Sequence, residues 1–330
     1  MRGGTRLALA LLPLYASGCG RPSVGFVHSR TEYVMGTVLE VRVEADDSAL
    51  AAAAVDTAFA VVRRLDRLLS NYDSTSELSR IGREAPAAVQ VSPPTLDFVR
   101  RSLELADRTG GVLEPTIEPL VKVWGFYGEH PSVPDSLDRA RALSLVDYRR
   151  VRVDAEANTV QMDSGMALDP GAAGKGYALA RADSALASFP LASVYFDFGG
   201  QLFRRGTRTV DAAVRHPRAD SVVISVIRFA VGSLATSGDW ERYFEVDGLR
   251  FSHILDPRTG RPVPRRWGVS VWHPDPFIAD ALSTALFVLG PDSAAELLRR
   301  FPEAAAFFVE PDGDSMVTHR TSAWERLEKR

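Results

Sequence analysis

A single cysteine, Cys19, is all the thiol this 330-residue chain carries. One thiol closes no internal disulfide, and an exported protein gains little from a stray one. Neither sign of charge is in surplus. With 39 Lys and Arg against 42 Asp and Glu, the formal net charge is −3, which leaves no basic surface of the kind nucleic acid requires. The six histidines are scattered and form no metal-binding tract. Past the first twenty residues no apolar run is long enough to cross a bilayer. Internal repeats and long low-complexity segments are missing as well.

What remains is an ordinary globular composition, 45% hydrophobic and 25% charged, behind an unusual start. Arg2 and Arg6 precede the short apolar stretch Leu7 to Leu14, and Ala16-Ser17-Gly18 offers small residues before Cys19. That order reads as an export signal over residues 1–18, cleaved before a Cys19 that is then lipidated. Residues 19–30 would be a tether, and the protein is expected outside the cytoplasm, lipid-anchored to a membrane (the periplasmic face of the inner membrane if the source is Gram-negative). Removing the signal leaves 330 − 18 = 312 residues. That is one large domain, 31–330, or two fused lobes.

Periodicity sketches the fold. Leu39, Val41 and Val43 alternate with polar residues, as in a half-buried strand. A helix is predicted over 48–69, capped by Asp47 or Ser48, with Val55, Phe59, Val62, Leu65 and Leu69 on one stripe. Further helices are expected from Ser92-Pro93 to Thr109, over 174–188, and over 279–289. Strands are expected at 194–198, 210–214, 222–231, 269–273, 305–309 and 316–318. A hairpin is expected at 151–162, and Asp247-Gly248 turns another between 242–246 and 249–254. Strands arriving as hairpins, without strict alternation with helices, indicate an α+β fold with a mostly antiparallel sheet packed against helices.

Several clusters carry chemistry that packing does not ask for. Ser252 to Val263 (SHILDPRTGRPV) places His253, Asp256, Arg258 and Thr259 in one short loop, a set suited to phosphate esters; a decorated surface loop is the plainer alternative. Asp280 and Thr284 are one helical turn apart, so their oxygens meet on one face. They suit Mg²⁺, unless Thr284 bonds back to the helix and Asp280 sits in water. Leu168 to Ala178 (LDPGAAGKGYA) starts a helix with small residues and Lys175, a place for an anion, or merely a helix start with an exposed lysine. It is no Walker loop, because Asp169 and Gly176 occupy required positions. Asp197-Phe198-Gly199 lacks the other parts of a kinase site.

With Met35-Gly36-Thr37, Ser70-Asn71-Tyr72, Pro115-Thr116-Ile117, Gly199-Gly200 and Ala235 to Asp239, these segments stand in an order that resembles the FAD:protein FMN transferase family (ApbE), formerly called thiamine-biosynthesis lipoproteins. The resemblance spans about residues 31 to 320. It implies Mg²⁺-dependent splitting of FAD and transfer of FMN to a Thr or Ser hydroxyl of a partner protein, with AMP leaving. It implies that Asp280, Thr284 and the Ala172 carbonyl hold the metal. Met35, Tyr72, Val112, Leu113, Glu114, Asp169, Lys175 and Ile254 match positions that contact FAD. His253 is the candidate base, or only a positioning group, with Asp256 beside it and Arg258 lending charge to the leaving group. The implied acceptor is a membrane-associated electron-transfer subunit. Glu114 and Glu118 depart from the family's usual Asp and Gly, and Pro170 to Gly174 and Asp197-Phe198 also differ. Two other functions remain open at this point: hydrolysis of FAD to FMN and AMP, and flavin binding without catalysis. Asp312-Gly313 to Thr318 loosely echoes an acceptor pattern but reads better as a hairpin.

Overall fold

The computed structural model describes residues 25–128, 130–217, 219–264, 267–312 and 315–329. The signal, Cys19 and the tether up to residue 24 lie outside the described residues. In chain order, β1 (Phe26–Val34) and β2 (Thr37–Ala45) lead to α1 (Ser48–Leu69) and α2 (Glu77–Glu84). After β3 (Val89–Gln90) come α3 (Pro93–Arg108), α4 (Glu118–Val123) and α5 (Ser136–Leu143), then β4 (Arg152–Asp154), β5 (Thr159–Gln161) and α6 (Gly174–Ala185). β6 (Leu191–Phe198), β7 (Gln201–His216) and β8 (Ala219–Gly238) precede two small hairpins, β9 (Tyr243–Val246) with β10 (Leu249–Ser252) and β11 (Leu255–Asp256) with β12 (Arg261–Pro262). β13 (Gly268–His273), α7 (Pro276–Leu289), α8 (Pro291–Leu298), β14 (Ala305–Asp312), β15 (Ser315–Arg320) and α9 (Ser322–Leu327) complete the chain.

Eight strands form one sheet in the order β1-β2-β6-β7-β8-β13-β14-β15. Every neighbouring pair is antiparallel, so the fold is α+β as expected. The alternation in β2 sends Leu39, Val41 and Val43 into the core, each 0% exposed. α1 starts where Asp47 accepts the Leu50 N–H at 2.7 Å, and it buries the stripe Val55, Phe59, Val62, Leu65 and Leu69. α1, α6 and α7 pack in sequence, α1 over β1 and β2 and α7 over β8 and β13. α7 is buried almost all round, as befits a helix whose residues are apolar on every side. Another cluster joins the sheet to α9, where Trp324 stacks on Phe307 with ring centroids 5.4 Å apart. A third gathers α4, α5, Leu255 and the rings of Phe244 and Phe251.

The differences from expectation have physical causes. β1 begins at Phe26, so residues 26–30 belong to the sheet and not to a tether. This edge strand buries only Val34, which leaves little periodic signal. β7 and β8 run well past the expected segments because they form a long ribbon whose register shifts at Arg205/Val210 and near Arg215. The short helices α2, α4, α5, α8 and α9, of six to eight residues each, complete too few turns to declare a stripe. α7 begins three residues early, with Pro276 in its first turn and Asp275 Oδ1 capping the Phe277 N–H at 2.8 Å.

Candidate active site

A cavity of about 1110 Å³, counting its open mouth, is walled by the start of α6, one face of α7, the end of β8, the 112–117 loop and the segment after β10. Its lining mixes apolar groups such as Val112, Leu113, Ile117 and Ile254 with Lys175, Asp280, Thr284, Glu241 and His253. Such a mixture suits a ligand with a flat apolar part and a charged part.

Asp280 is 5% exposed. Its Oδ2 accepts the Gly176 N–H at 2.8 Å and its Oδ1 lies 3.8 Å from Lys175 Nζ. Burial pushes the carboxyl up, and Lys175 works against that shift; the lysine in turn is held above its ordinary value by Asp280. One turn on, Thr284 also faces the cavity. Within the described residues no hydrogen bond engages its hydroxyl. The back-bond to the helix is made by Ser283, whose Oγ donates to the Asp280 carbonyl at 2.8 Å. Asp280, Thr284 and Ala172 all line the cavity, and a carboxylate, an unspent hydroxyl and a backbone carbonyl are hard oxygen donors of the kind that fit Mg²⁺. Among the described residues no group of three or more His, Cys, Asp or Glu is placed to hold a metal, so substrate oxygens would have to complete the shell.

His253 follows β10. Its N–H and its Nδ1 both meet the Arg242 carbonyl, at 3.0 and 3.1 Å. A carbonyl only accepts, so the ring proton sits on Nδ1 and Nε2 is left as a proton acceptor. Burial lowers the ring to about 4, so it is neutral at pH 7. Asp169 Oδ1 accepts the Gly171 N–H and its Oδ2 the Tyr127 hydroxyl, at 2.5 and 2.6 Å; burial raises this carboxyl.

These features can be set beside known proteins. The sequence pattern of the ApbE family matches residues 35–308. The chain belongs to the ApbE family. It is 33% identical to the FAD:protein FMN transferase of Treponema pallidum, over 89% of this chain and 87% of that one. It is 29% identical to the Escherichia coli FAD:protein FMN transferase, over 95% and 94%. The solved ApbE protein of Thermotoga maritima superposes with a TM-score of 0.84 at 29% identity, covering 92% of this chain and 100% of that one. The apo flavinyl transferase ApbE of Pseudomonas stutzeri gives 0.81 at 28%, covering 92% and 97%.

Not every residue expected to contact ligand in an ApbE site lies on this cavity. Val112, Leu113, Glu114, Asp169, Ala172, Lys175, His253, Ile254, Asp280 and Thr284 line it. Glu114 is nevertheless engaged in bracing its loop, accepting from Thr116 N and Oγ1 at 2.9 and 2.7 Å and from Tyr148 N at 3.1 Å. Tyr72 stands outside the wall, 62% exposed, its ring edge-on to Tyr127. Met35 sits in the β1–β2 turn with φ 48° and approaches the start of α6. Asp256 and Arg258 are not in the cavity wall. Arg258 Nε and Nη2 donate to the two Asp256 oxygens at 2.8 and 2.7 Å, and the pair closes its own loop. In this arrangement each satisfies the other, and neither side chain lines the cavity.

Sequence reasoning missed Tyr127, Gln201 and Glu241. Gln201, 3% exposed, donates through Nε2 to the Pro276 carbonyl at 2.9 Å and to Ser233 Oγ at 3.2 Å, tying β7 to the start of α7. Its one sequence signal was its place directly after the Gly199-Gly200 pair. Tyr127 and Glu241 had no signal, since only tertiary folding brings them here.

Proposed function

We propose that this ApbE-family protein transfers FMN from FAD to a Ser or Thr hydroxyl of an acceptor protein, with Mg²⁺ bound and AMP released. The observation that carries this reading is a single cavity lined both by residues of a metal-type oxygen set, on α7 and beside α6, and by a neutral histidine with a free Nε2. Val112, Leu113 and Ile254 offer an apolar bed for the flavin ring, and Lys175 offers positive charge to the pyrophosphate. The acceptor oxygen forms a bond to the phosphorus on the riboflavin side. The bond from that phosphorus to the bridging oxygen breaks, and AMP departs with that oxygen. The hydroxyl proton passes to His253 Nε2. A Mg²⁺ ion on Asp280, Thr284 and the Ala172 carbonyl would draw charge off the phosphates.

The leader supports a second part of the reading: export, lipidation at Cys19 and an acceptor that is a membrane-associated electron-transfer subunit. Among the described residues no helix is long and apolar enough to cross a membrane, so membrane attachment would rest on that lipid. Cys19→Ser should then move the protein from the membrane fraction to the soluble fraction.

Incubation with FAD, Mg²⁺ and a Thr-bearing acceptor peptide tests the chemistry. A peptide heavier by one esterified FMN, with stoichiometric AMP, is the expected result. Free FMN beside an unmodified peptide would instead mean hydrolysis. Retained FAD without AMP would mean a flavin carrier.

A further inference from the structure

Tyr127 has no part in the reaction as derived above, yet it joins three parts of the site. Its hydroxyl accepts from Asn71 Nδ2 at 2.5 Å and donates to Asp169 Oδ2 at 2.6 Å. The polarity is fixed: an amide NH₂ only donates and a carboxylate only accepts, so the one phenol proton points at Asp169. The ring meets Tyr72 with centroids 5.2 Å apart and planes at 76°, a favourable edge-on geometry. Tyr72 OH in turn accepts from Arg242 Nη1 at 3.3 Å, and the Arg242 carbonyl is the group that orients His253.

A tyrosine that merely filled space would need no partner of this kind, because phenylalanine fills the same volume. The hydroxyl lies between a donor and a cavity-wall carboxylate, where it offsets the cost of burying that carboxylate. Each Asp169 oxygen already takes one donor and retains a lone pair for another. What the wall can grip there is an N–H or O–H of the bound dinucleotide.

We propose that Tyr127 is a positioning residue for FAD, holding Asp169 as an acceptor on the cavity wall and Tyr72 edge-on beside it. This rests on FAD being the substrate. The test is Tyr127→Phe in the full chain, with FAD affinity measured by fluorescence titration in EDTA without acceptor, so that no transfer intervenes. The dissociation constant and the KM for FAD should both rise about tenfold, with kcat within about twofold and the melting temperature within a few degrees. In an Asp169→Asn background the same substitution should weaken FAD less than about twofold, since the bond it removes no longer ends on a carboxylate. Unchanged affinity in Tyr127→Phe, or an equal loss in both backgrounds, overturns the proposal. A wild-type protein that binds no FAD overturns the functional reading as well, which separates the two failures.

Discussion

Gly176 gives its backbone N–H to Asp280 Oδ2 at 2.8 Å, and the space between the two helices admits no methyl group. A Cβ on Gly176 would stand 2.3 Å from the Pro276 carbonyl oxygen and 2.7 Å from Asp280 Cβ. Close approach of α6 is therefore what lets an amide hold the carboxylate in place. Gly176→Ala must part the helices, and it should cost about 1–3 kcal/mol of stability. Thermal melts with and without Mg²⁺ and FAD measure it. An alanine variant with unaltered melting and full activity would show that the contact is not needed.

Asp280→Asn keeps an oxygen for the Gly176 amide but removes the charge. Transfer activity should fall at least about 100-fold, while FAD binding in EDTA persists. Thr284→Val should raise the Mg²⁺ concentration needed for half-maximal activity, about tenfold or more. A Mg²⁺ titration that leaves both variants like wild type would remove the oxygen pair from the mechanism.

His253→Ala should lower kcat about 10²- to 10⁴-fold with FAD affinity retained. The pH dependence has a definite sign. The ring's pKa is depressed to about 4 from an ordinary 6.5, so the basic form dominates throughout the neutral range. The kcat/KM profile should stay flat down to about pH 5 and decline as pH falls through about 4. Stability follows the same direction: the unfolded chain takes up the proton first, so this group's contribution is present above pH 6.5 and lost as pH drops toward 4. An acidic limb centred near 6.5 would exclude His253, in this environment, as the base.

Asp256→Asn and Arg258→Ala test whether this loop pair takes part in the reaction. Because the two side chains satisfy each other and Arg258 is 55% exposed, kcat should stay within about threefold of wild type, and stability should fall by about 1 kcal/mol or less. A loss of several hundredfold in transfer with an intact melt would return them to the reacting centre.

Local physics made much of the molecule legible in its sequence. Asp47 and a clean stripe set the bounds of α1, and Asp247-Gly248 turned its hairpin where expected. The Asp280–Thr284 pair was readable because four residues of separation on a helix is itself a distance. Tyr127 was not readable, because its partners Asn71 and Asp169 are 56 and 42 residues away. The pairing of Asp256 with Arg258 was hidden for the opposite reason. Two residues apart, they carry the right chemical groups for a phosphate site, and nothing in a linear text shows that those groups are already spent on each other.

α7, buried almost all round, carries Asp280 and Thr284 on the cavity lining. An ion held there would draw two of its three protein oxygens from a packed helix and not from a loop that can fray while the protein stays folded. Heat should scatter those two oxygens only as the interior itself comes apart, so inactivation by temperature would be abrupt.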